Sequence, residues 1–322
     1  EFTEKEWSLI KKSLTEHTTV SGCTTTTQFF IQEKLTIYIP LAYAVKNLVT
    51  LQEPKISSVK FTAILRAHQV SVVEKALKTL KKDRACIISC PPGAGKTIMA
   101  IACIAKLGLK TGIVTNRVII RNQWKSSLDQ YCKDANVLFI NLQHAVSIPD
   151  DVDFIVIDEL HQNLSERAFK LLMSRQVNYI LGLSATPYRY DVWDMCIPHL
   201  FGQLIVNDFT KRCHTVKIIY TNLTFPVKCK TFDNSVDWTD LITKQSMHKS
   251  RNEMIVTHLL KELSVDYWLV LCKRLDQIEL LKSILISQTS KKIVCASPKV
   301  NYNALPPCII LGTPSRCWIR YD

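Results

Sequence analysis

A glycine-rich octapeptide between an apolar strand and an apolar helix is the feature that most restricts the fold of this chain. The segment runs from Cys90 to Thr97 and reads CPPGAGKT. The five residues before it, ACIIS, are small or β-branched, as a buried parallel strand requires. The ten residues after it repeat apolar side chains at helical spacing. Strand, glycine loop and helix in this order form the context in which a loop can wrap phosphate groups.

The residue types in this loop predict a nucleotide triphosphate with a magnesium ion. Its glycines let the backbone turn its N–H groups inward, and the following helix adds its positive N-terminal end. Lys96 can reach the β and γ phosphates, and the Thr97 hydroxyl can hold Mg²⁺. Cys90 replaces the first glycine of the G-x-x-x-x-G-K-[ST] pattern, and an ordinary glycine turn before a helix is the alternative interpretation. The residues assigned to the nucleotide here are Pro92, Gly93, Ala94, Gly95, Lys96 and Thr97.

Length, charge and cysteine content restrict the classes of protein to which this chain can belong. The 322 residues allow about two domains of roughly 150 residues each. Basic residues number 41 against 28 acidic ones, and the formal charge of +13 favours a polyanionic partner such as nucleic acid. The twelve cysteines form no C-x-x-C pair, so we expect them to be reduced in an intracellular compartment. No stretch reaches the roughly 20 apolar residues of a membrane span, which predicts a soluble protein with no membrane partner.

The order of apolar runs predicts an α/β protein in three segments. Residues 3–55 form a small N-terminal accessory module. Residues 56–210 alternate strands and helices, as a doubly wound parallel sheet does, and carry the phosphate loop. Residues 211–322 begin a second series of the same kind.

The expected elements have the following bounds. The module should contain a helix at Glu4–Leu14, a threonine-rich connector at Thr24–Thr27, a strand at Leu35–Ile39 and a helix at Ala42–Leu51. The strands of the first sheet should be Ala85–Ser89, Gly112–Thr115, Val137–Asn141, Phe154–Ile157 and Tyr179–Leu183. The second series should comprise strands at Lys217–Thr221, Tyr267–Leu271, Lys292–Cys295 and Cys308–Leu311, helices at Asn252–Leu263 and Leu275–Ile286, and an irregular connection over Asn222–Met247.

A second polar motif follows the apolar strand FIVID. Asp158 at the carboxyl end of that strand can supply a second Mg²⁺ contact, and Glu159 can orient or deprotonate the attacking water. A helix start rich in acidic residues is the alternative interpretation, because Asp and Glu are favoured there. The phosphate loop upstream favours the metal site.

Three motifs in order, GAGKT, DELH and SATP, lie within about a hundred residues and resemble those of superfamily 2 helicases and translocases. The resemblance implies two RecA-like domains facing each other across ATP, the second of them incomplete in this sequence. It also implies catalytic roles for Lys96, Asp158 and Glu159. The residues that would couple ATP to strand movement are His161, Ser184 and Thr186.

Two further segments resemble the same family. LRAHQ resembles the segment in which a glutamine recognises adenine, so that Gln69, with Arg66 beside it, is assigned to the nucleotide. GIVTNRVIIRNQW resembles the first nucleic-acid segment, and its candidate contacts are Arg117, Arg121, Gln123 and Trp124. The alternative to nucleic-acid contact is, for Trp124, that it anchors its helix in the core and, for the arginines, that they lie on a solvated helix face.

The narrower resemblance is to helicases of large cytoplasmic DNA viruses, of the poxvirus and asfarvirus kind, and to transcription-associated and phage repair helicases. It is carried by the pair Phe201 and Gly202 after SATPYRY, by Arg251 and Asn252, and by YWLVLCKR. It implies DNA or RNA as substrate, transcription or replication proteins as further partners, and the host cytoplasm or the virion as location.

The sequence departs from the family near its end. IILGTPSRCWIRYD resembles the start of a fifth motif, but no Q-x-x-G-R-x-x-R occurs in the 322 residues. That motif supplies an arginine whose counterpart in related P-loop enzymes contributes roughly 10³ to 10⁵ in rate. We therefore expect ATP binding with slow hydrolysis. Two rival functions remain, an ATP-gated nucleic-acid-binding or transcription scaffold and a duplex translocase that does not separate strands.

Overall fold

The computed structural model describes residues 3–20, 23–34, 36–54, 58–175, 177–202, 205–207, 215–230, 235–297, 300 and 304–314. The chain divides into two compact units, residues 1–212 and residues 213–321. Each unit has its own sheet and its own core. None of the helices in the described ranges combines the length and the apolar character needed to cross a bilayer.

The first unit begins with two helices and two short hairpins. Helix α1 starts with a capping box, in which Thr3 Oγ1 accepts from Glu6 N and the Glu6 carboxylate accepts from Thr3 N. Strands β1 and β2 pair antiparallel, as do β3 and β4. The elements are α1 (Glu4–Ser13), β1 (Thr15–Val20), β2 (Cys23–Gln28), β3 (Ile31–Glu33), β4 (Thr36–Tyr38) and α2 (Leu41–Asn47).

The rest of the first unit is a six-stranded parallel sheet with helices between its strands. The strand order is β10-β5-β9-β8-β6-β7, and every neighbouring pair is parallel. Its elements are α3 (Ala67–Asp83), β5 (Ala85–Ser89), α4 (Lys96–Leu107), β6 (Thr111–Val114), α5 (Val118–Tyr131), β7 (Val137–Ile140), β8 (Phe154–Ile157), α6 (Leu160–Asn163), α7 (Glu166–Met173), β9 (Tyr179–Ser184), α8 (Cys196–Phe201) and β10 (Ile205–Asn207).

Alternate residues of the strands enter two separate cores, one on each face of the sheet. Ile87 and Ile155 pack with the N-terminal side chain Phe29, whereas Ile88 and Val156 pack with residues of α3 and α4. This alternation is what a sheet covered on both faces requires, because successive side chains of a strand point to opposite sides. The predicted α/β fold class is confirmed. The N-terminal segment covers one face of the sheet, and the three predicted domains stay a prediction.

The second unit contains a three-stranded parallel sheet in the order β11-β13-β12. Its core is formed by α10, α11 and the inward residues of β11 and β13. The elements are α9 (Trp238–Met247), α10 (Lys249–Lys261), β11 (Tyr267–Leu271), α11 (Leu275–Gln288), β12 (Lys292–Cys295) and β13 (Cys308–Gly312). Residues 315–322, the end of the expected fifth motif, lie outside the described residues.

Three local predictions were wrong. Thr24–Thr27 belongs to β2 and is no connector, because β-branched threonines fit a strand once β1 is beside it. Lys217–Thr221 forms no strand, since no partner strand is paired with it among the described residues. The connection predicted as irregular contains α9, whose start is capped by the Asp237 carboxylate accepting from Thr239 N and Asp240 N.

Candidate functional site

The motif segments leave the sheet at one edge. Ser89 at the end of β5 is paired with Ser184 at the end of β9, and Ile157 of β8 is paired with Gly182 of β9. Asp158 therefore follows β8 two strands away from the start of the phosphate loop, a lateral distance of about 10 Å at 4.7–4.9 Å per strand. The carboxyl edge of a parallel sheet is where ligands bind in open α/β folds.

The phosphate loop has the backbone that its glycines predict. Gly93 and Gly95 have φ of 73° and 86°, in the left-handed region that favours glycine. At Gly95 a Cβ atom would lie 2.4 Å from Gln69 Nε2, so a side chain there would displace that amide. Helix α4 begins at Lys96. The Lys96 Nζ is buried and donates to Cys90 O at 2.8 Å and to Pro91 O at 3.3 Å.

The first turn of α3 contacts this loop through the side chain of Gln69. Gln69 is buried, and its Nε2 donates to Ala94 O at 3.0 Å. Its Oε1 accepts from Arg66 N at 2.9 Å, which fixes the orientation of the amide. Of the two residues that the LRAHQ segment assigned to the nucleotide, Gln69 contacts the phosphate loop and Arg66 is bonded through its backbone to Gln69.

The acidic motif sits in a strained turn after β8. Asp158 is 1% exposed, and its Oδ1 accepts from Glu159 N at 3.0 Å. Glu159 has φ of 46°, a conformation that costs energy for a residue with a side chain and that concentrates at functional sites. Asn163 Nδ2 donates to Asp158 O, which holds α6 against the end of the strand.

Trp124 lies inside the protein. Its side chain is 0% exposed, and its indole Nε1 donates to Asp158 Oδ2 at 2.9 Å. A completely buried ring has no surface with which to stack on a base, so the role assigned to it in nucleic-acid contact needs correction. The alternative interpretation, a buried helix anchor, is the one that the structure gives. Its bond to the Asp158 carboxylate was not foreseen.

His161 joins the acidic motif to the end of β9. The amide Nε2 of Gln162 lies 3.2 Å from His161 Nε2, and because an amide nitrogen only donates, the neutral ring carries its proton on Nδ1. Nδ1 then donates to Ser184 Oγ at 2.9 Å, and this oxygen also accepts from Thr186 N at 3.1 Å. The three residues expected to couple ATP to movement are therefore in contact.

The charge around His161 keeps its ring neutral. Burial lowers its pKa, and the positive charges of Arg189 and Lys96 lower it further. The phosphate-loop lysine is thus close enough to act electrostatically on the acidic motif.

Arg189 is a site residue that sequence reasoning missed. Its Nη1 donates to His161 O, and its guanidinium forms an ion pair with Asp191. This side chain holds the segment after SATP against the turn of α6. The signal was the Arg-x-Asp spacing in RYD, two residues apart, which is too common to identify a site without the fold.

The remaining nucleic-acid candidates lie at the start of α5. Arg117 is the N-cap residue, Arg121 is exposed and Gln123 is half-buried. Helix α5 follows β6, whose carboxyl end lies at the same edge of the sheet as the acidic motif, since Val114 is paired with Ile157. The structure therefore puts these polar side chains next to the same edge.

A phosphate loop, an acidic motif and Ser184 lie at one edge of a parallel sheet, in the chain order that the resemblance to superfamily 2 helicases predicts. The family model for the res subunit of type III restriction enzymes matches residues 62–145. The chain is related to helicases of the viral and phage type, and the predicted resemblance is confirmed.

Three relatives carry this conclusion. The chain is 28% identical over 311 residues to "Putative helicase 055L" of Frog virus 3 (isolate Goorha), covering 88% of this chain and 72% of the relative. It is 32% identical over 276 residues to "Putative helicase 161L" of Invertebrate iridescent virus 6, covering 76% and 62%. It is 25% identical over 228 residues to "Probable helicase D10" of Escherichia phage T5, covering 66% and 50%. The chain thus spans between half and about three quarters of the length of these relatives.

Proposed function

We propose that this chain is an ATP-dependent helicase or translocase that couples hydrolysis to movement on DNA or RNA. The observation that carries the proposal is the convergence, at one sheet edge, of the phosphate loop, the acidic motif and the hydrogen-bonded pair His161 and Ser184. Each of these has a separate task in an ATP-driven motor, and a structural glycine turn would need none of the others beside it.

ATP would bind through the loop from Pro92 to Thr97. The backbone N–H groups of the loop and the start of α4 favour negative charge. Lys96 Nζ, which donates to the Cys90 and Pro91 carbonyls, would exchange these neutral acceptors for phosphate oxygens, whose negative charge adds an ion pair to the hydrogen bonds. Gln69, which contacts the loop, and Arg66 at the N-cap of α3 would contact the adenine side of the nucleotide.

The donor set fits a magnesium ion. Mg²⁺ prefers oxygen ligands and is usually held by one or two carboxylates together with substrate phosphates. Thr97 offers a hydroxyl at the start of α4, and Asp158 offers a buried carboxylate whose plane is fixed by two N–H donors. When bound, the ion would neutralise charge on the triphosphate oxygens. Among the described residues no group of three or more His, Cys, Asp or Glu side chains suits a metal held by protein alone.

Glu159 would orient the attacking water and accept its proton. The carboxylate lies next to Asp158 in sequence, and its Oε2 is 3.7 Å from His161 Nδ1. Because the ring donates from Nδ1 to Ser184, a change at the phosphates that moves Glu159 would be transmitted to the end of β9. The contacts with the nucleic-acid backbone would come from Arg117, Arg121 and Gln123 near the start of α5.

One rival function is favoured by a specific observation. The 322 residues contain no Q-x-x-G-R-x-x-R segment that could supply an arginine to the transferring phosphoryl group. A polypeptide of these residues alone would then bind ATP and nucleic acid with little turnover, as a scaffold does. Turnover would rise when an arginine that is not among these residues is supplied to the site.

A combined assay separates the candidate functions. ATP binding, ATP turnover with single- and double-stranded nucleic acid, and strand displacement on a tailed duplex are measured on the 322-residue polypeptide. Turnover stimulated by single strands together with displacement supports a helicase, and stimulation by duplex without displacement supports a translocase. ATP binding with turnover about 10³-fold or more below typical enzyme rates supports the scaffold for these residues alone. Absence of ATP binding contradicts all three.

A further inference from the structure

Helix α5, which carries the candidate nucleic-acid contacts, is connected to the candidate metal site at Asp158 by one buried hydrogen bond. Trp124 is in α5 and Asp158 follows β8, 34 residues later in the chain. The distance between the indole Nε1 and Asp158 Oδ2 is 2.9 Å, and both side chains are 1% exposed or less. A donor in this position acts on the carboxylate directly, without intervening solvent.

The indole is held rigidly. Trp124 belongs to the core on the α4 face of the sheet, together with Leu128 of its own helix and Ile113 of β6. Close packing of this kind leaves a bicyclic ring without room to change rotamer. The indole N–H is therefore fixed in one orientation, directed at the Asp158 carboxylate.

The two donors on Asp158 determine the plane of its carboxylate. Oδ2 accepts from Trp124 Nε1 and Oδ1 accepts from Glu159 N, so that each carboxylate oxygen is oriented by an N–H donor. The plane of the carboxylate in turn sets the directions along which its oxygens can bind a cation. Partners that orient a metal ligand in this way typically change metal affinity by about 10- to 100-fold when they are removed.

The same helix carries candidate contacts to nucleic acid. Arg121 is exposed and precedes Trp124 by three residues, which is less than one helical turn. If nucleic acid binds at Arg121 and shifts α5, the indole N–H would move as well, because the segment between Arg121 and Trp124 is regular helix.

We propose that Trp124 is a positioning residue, which orients the Asp158 carboxylate for the metal and transmits strand binding on α5 to the ATP site. This inference rests on the proposed function, since it needs a metal-nucleotide at Asp158. It assigns to a buried aromatic side chain a role that its hydrophobicity alone would not suggest.

The test removes the N–H and keeps the ring. Trp124→Phe keeps an aromatic body, and replacement by 3-benzothienylalanine keeps the bicyclic volume with sulfur in place of the N–H group. Trp193→Phe is the matched control, because Trp193 packs against Phe29 and Phe169 on the other face of the sheet. Binding of Mn²⁺ in the presence of a non-hydrolysable ATP analogue is followed by electron paramagnetic resonance, and binding of the analogue without metal is followed separately.

We expect both substitutions at Trp124 to weaken Mn²⁺ binding by about 10-fold or more, with analogue binding in the absence of metal within about twofold of wild type. The stimulation of ATP turnover by nucleic acid should fall by a similar factor, and Trp193→Phe should change neither quantity. Mn²⁺ affinity within about twofold of wild type in the benzothienyl variant would overturn the inference and leave the proposed function standing. Failure of the wild-type protein to bind the analogue would overturn both.

Discussion

The Nδ1 atom of His161 lies 2.9 Å from the Oγ atom of Ser184, and this contact joins the turn after β8 to the end of β9. Burial and two neighbouring cations lower the pKa of the ring, and because Nε2 faces the Gln162 amide nitrogen, the neutral ring donates to the serine from Nδ1. Ser184 in turn accepts from the backbone of Thr186. The segment that follows the serine is therefore tied to the acidic motif through His161, in addition to the bond from Arg189 to His161 O.

Removal of the serine hydroxyl should separate hydrolysis from movement. In Ser184→Ala, ATP turnover should stay within about threefold of wild type, because the Asp158 and Lys96 sites are unchanged. Strand displacement per ATP should fall by about five- to tenfold, the value of one hydrogen bond of about 1 kcal/mol. The two rates are measured in the same reaction. Ser174→Ala, which removes a hydroxyl from the end of α7, is the control. An equal fall in turnover and displacement would show that the serine acts in hydrolysis.

Replacing the phosphate-loop lysine should remove turnover and leave the fold intact. Lys96→Ala takes away the buried cation that would bind the phosphates, and the loss of one such electrostatic group typically costs about 10² to 10³ in rate. Steady-state ATPase and circular dichroism are compared with Lys106→Ala, an exposed lysine of the same helix. Unchanged turnover in Lys96→Ala would contradict the nucleotide assignment.

The salt dependence of nucleic-acid affinity should show whether the arginines of α5 contact phosphates. If Arg117 and Arg121 contact phosphates, the slope of log K against log salt concentration should become less negative by about 2 in Arg117→Ala/Arg121→Ala. Fluorescence titrations at several salt concentrations measure the slope. Lys133→Ala, an exposed basic residue beyond the other end of α5, should leave it close to the wild-type value. A wild-type slope in the double variant would exclude these contacts.

The stability of the first unit should fall below pH 6.5. Burial lowers the pKa of His199, opposed in part by Glu16. The ring packs 5.8 Å from Phe29 and 5.8 Å from Tyr43, measured between ring centroids. With a folded pKa below the unfolded value of about 6.5, the unfolded state binds more protons in that window. Stability is complete above pH 6.5 and decreases as pH falls towards the folded pKa, by at most about 1.4 kcal/mol per pH unit for each such histidine.

A variant isolates this contribution. His199→Phe keeps the ring contacts and removes the titration, so its free energy of unfolding should change less between pH 7.5 and pH 5.5 than that of wild type. Denaturant titrations at both pH values measure the difference. His161, whose pKa is also lowered, stays in both proteins and accounts for the remaining slope. An identical pH dependence in the two proteins would contradict the prediction.

The sheet of the first unit was predictable because its strands are buried on both faces. Ala85–Ser89 and Phe154–Ile157 agree with the prediction, two further strands differ by one residue at one end, and β6 is shifted by one residue at both ends. Continuous apolar runs bounded by polar residues mark such strands without knowledge of their neighbours. The hairpin β1–β2 and the short strand β10 were missed, because pairing with a distant partner decides whether polar or very short segments become strands.

The order of GAGKT, DELH and SATP along the chain predicted the family and the candidate nucleotide residues, because the chemistry of phosphate and metal demands those side chains at those spacings. The tertiary structure alone decided which side chains hold them in place. The bonds from Trp124 to Asp158, from Gln69 to Ala94 and from Arg189 to His161 each join segments at least 25 residues apart. No local spacing encodes such pairs, since parallel strands bring together segments separated by whole helices and only the packed sheet fixes which of them meet.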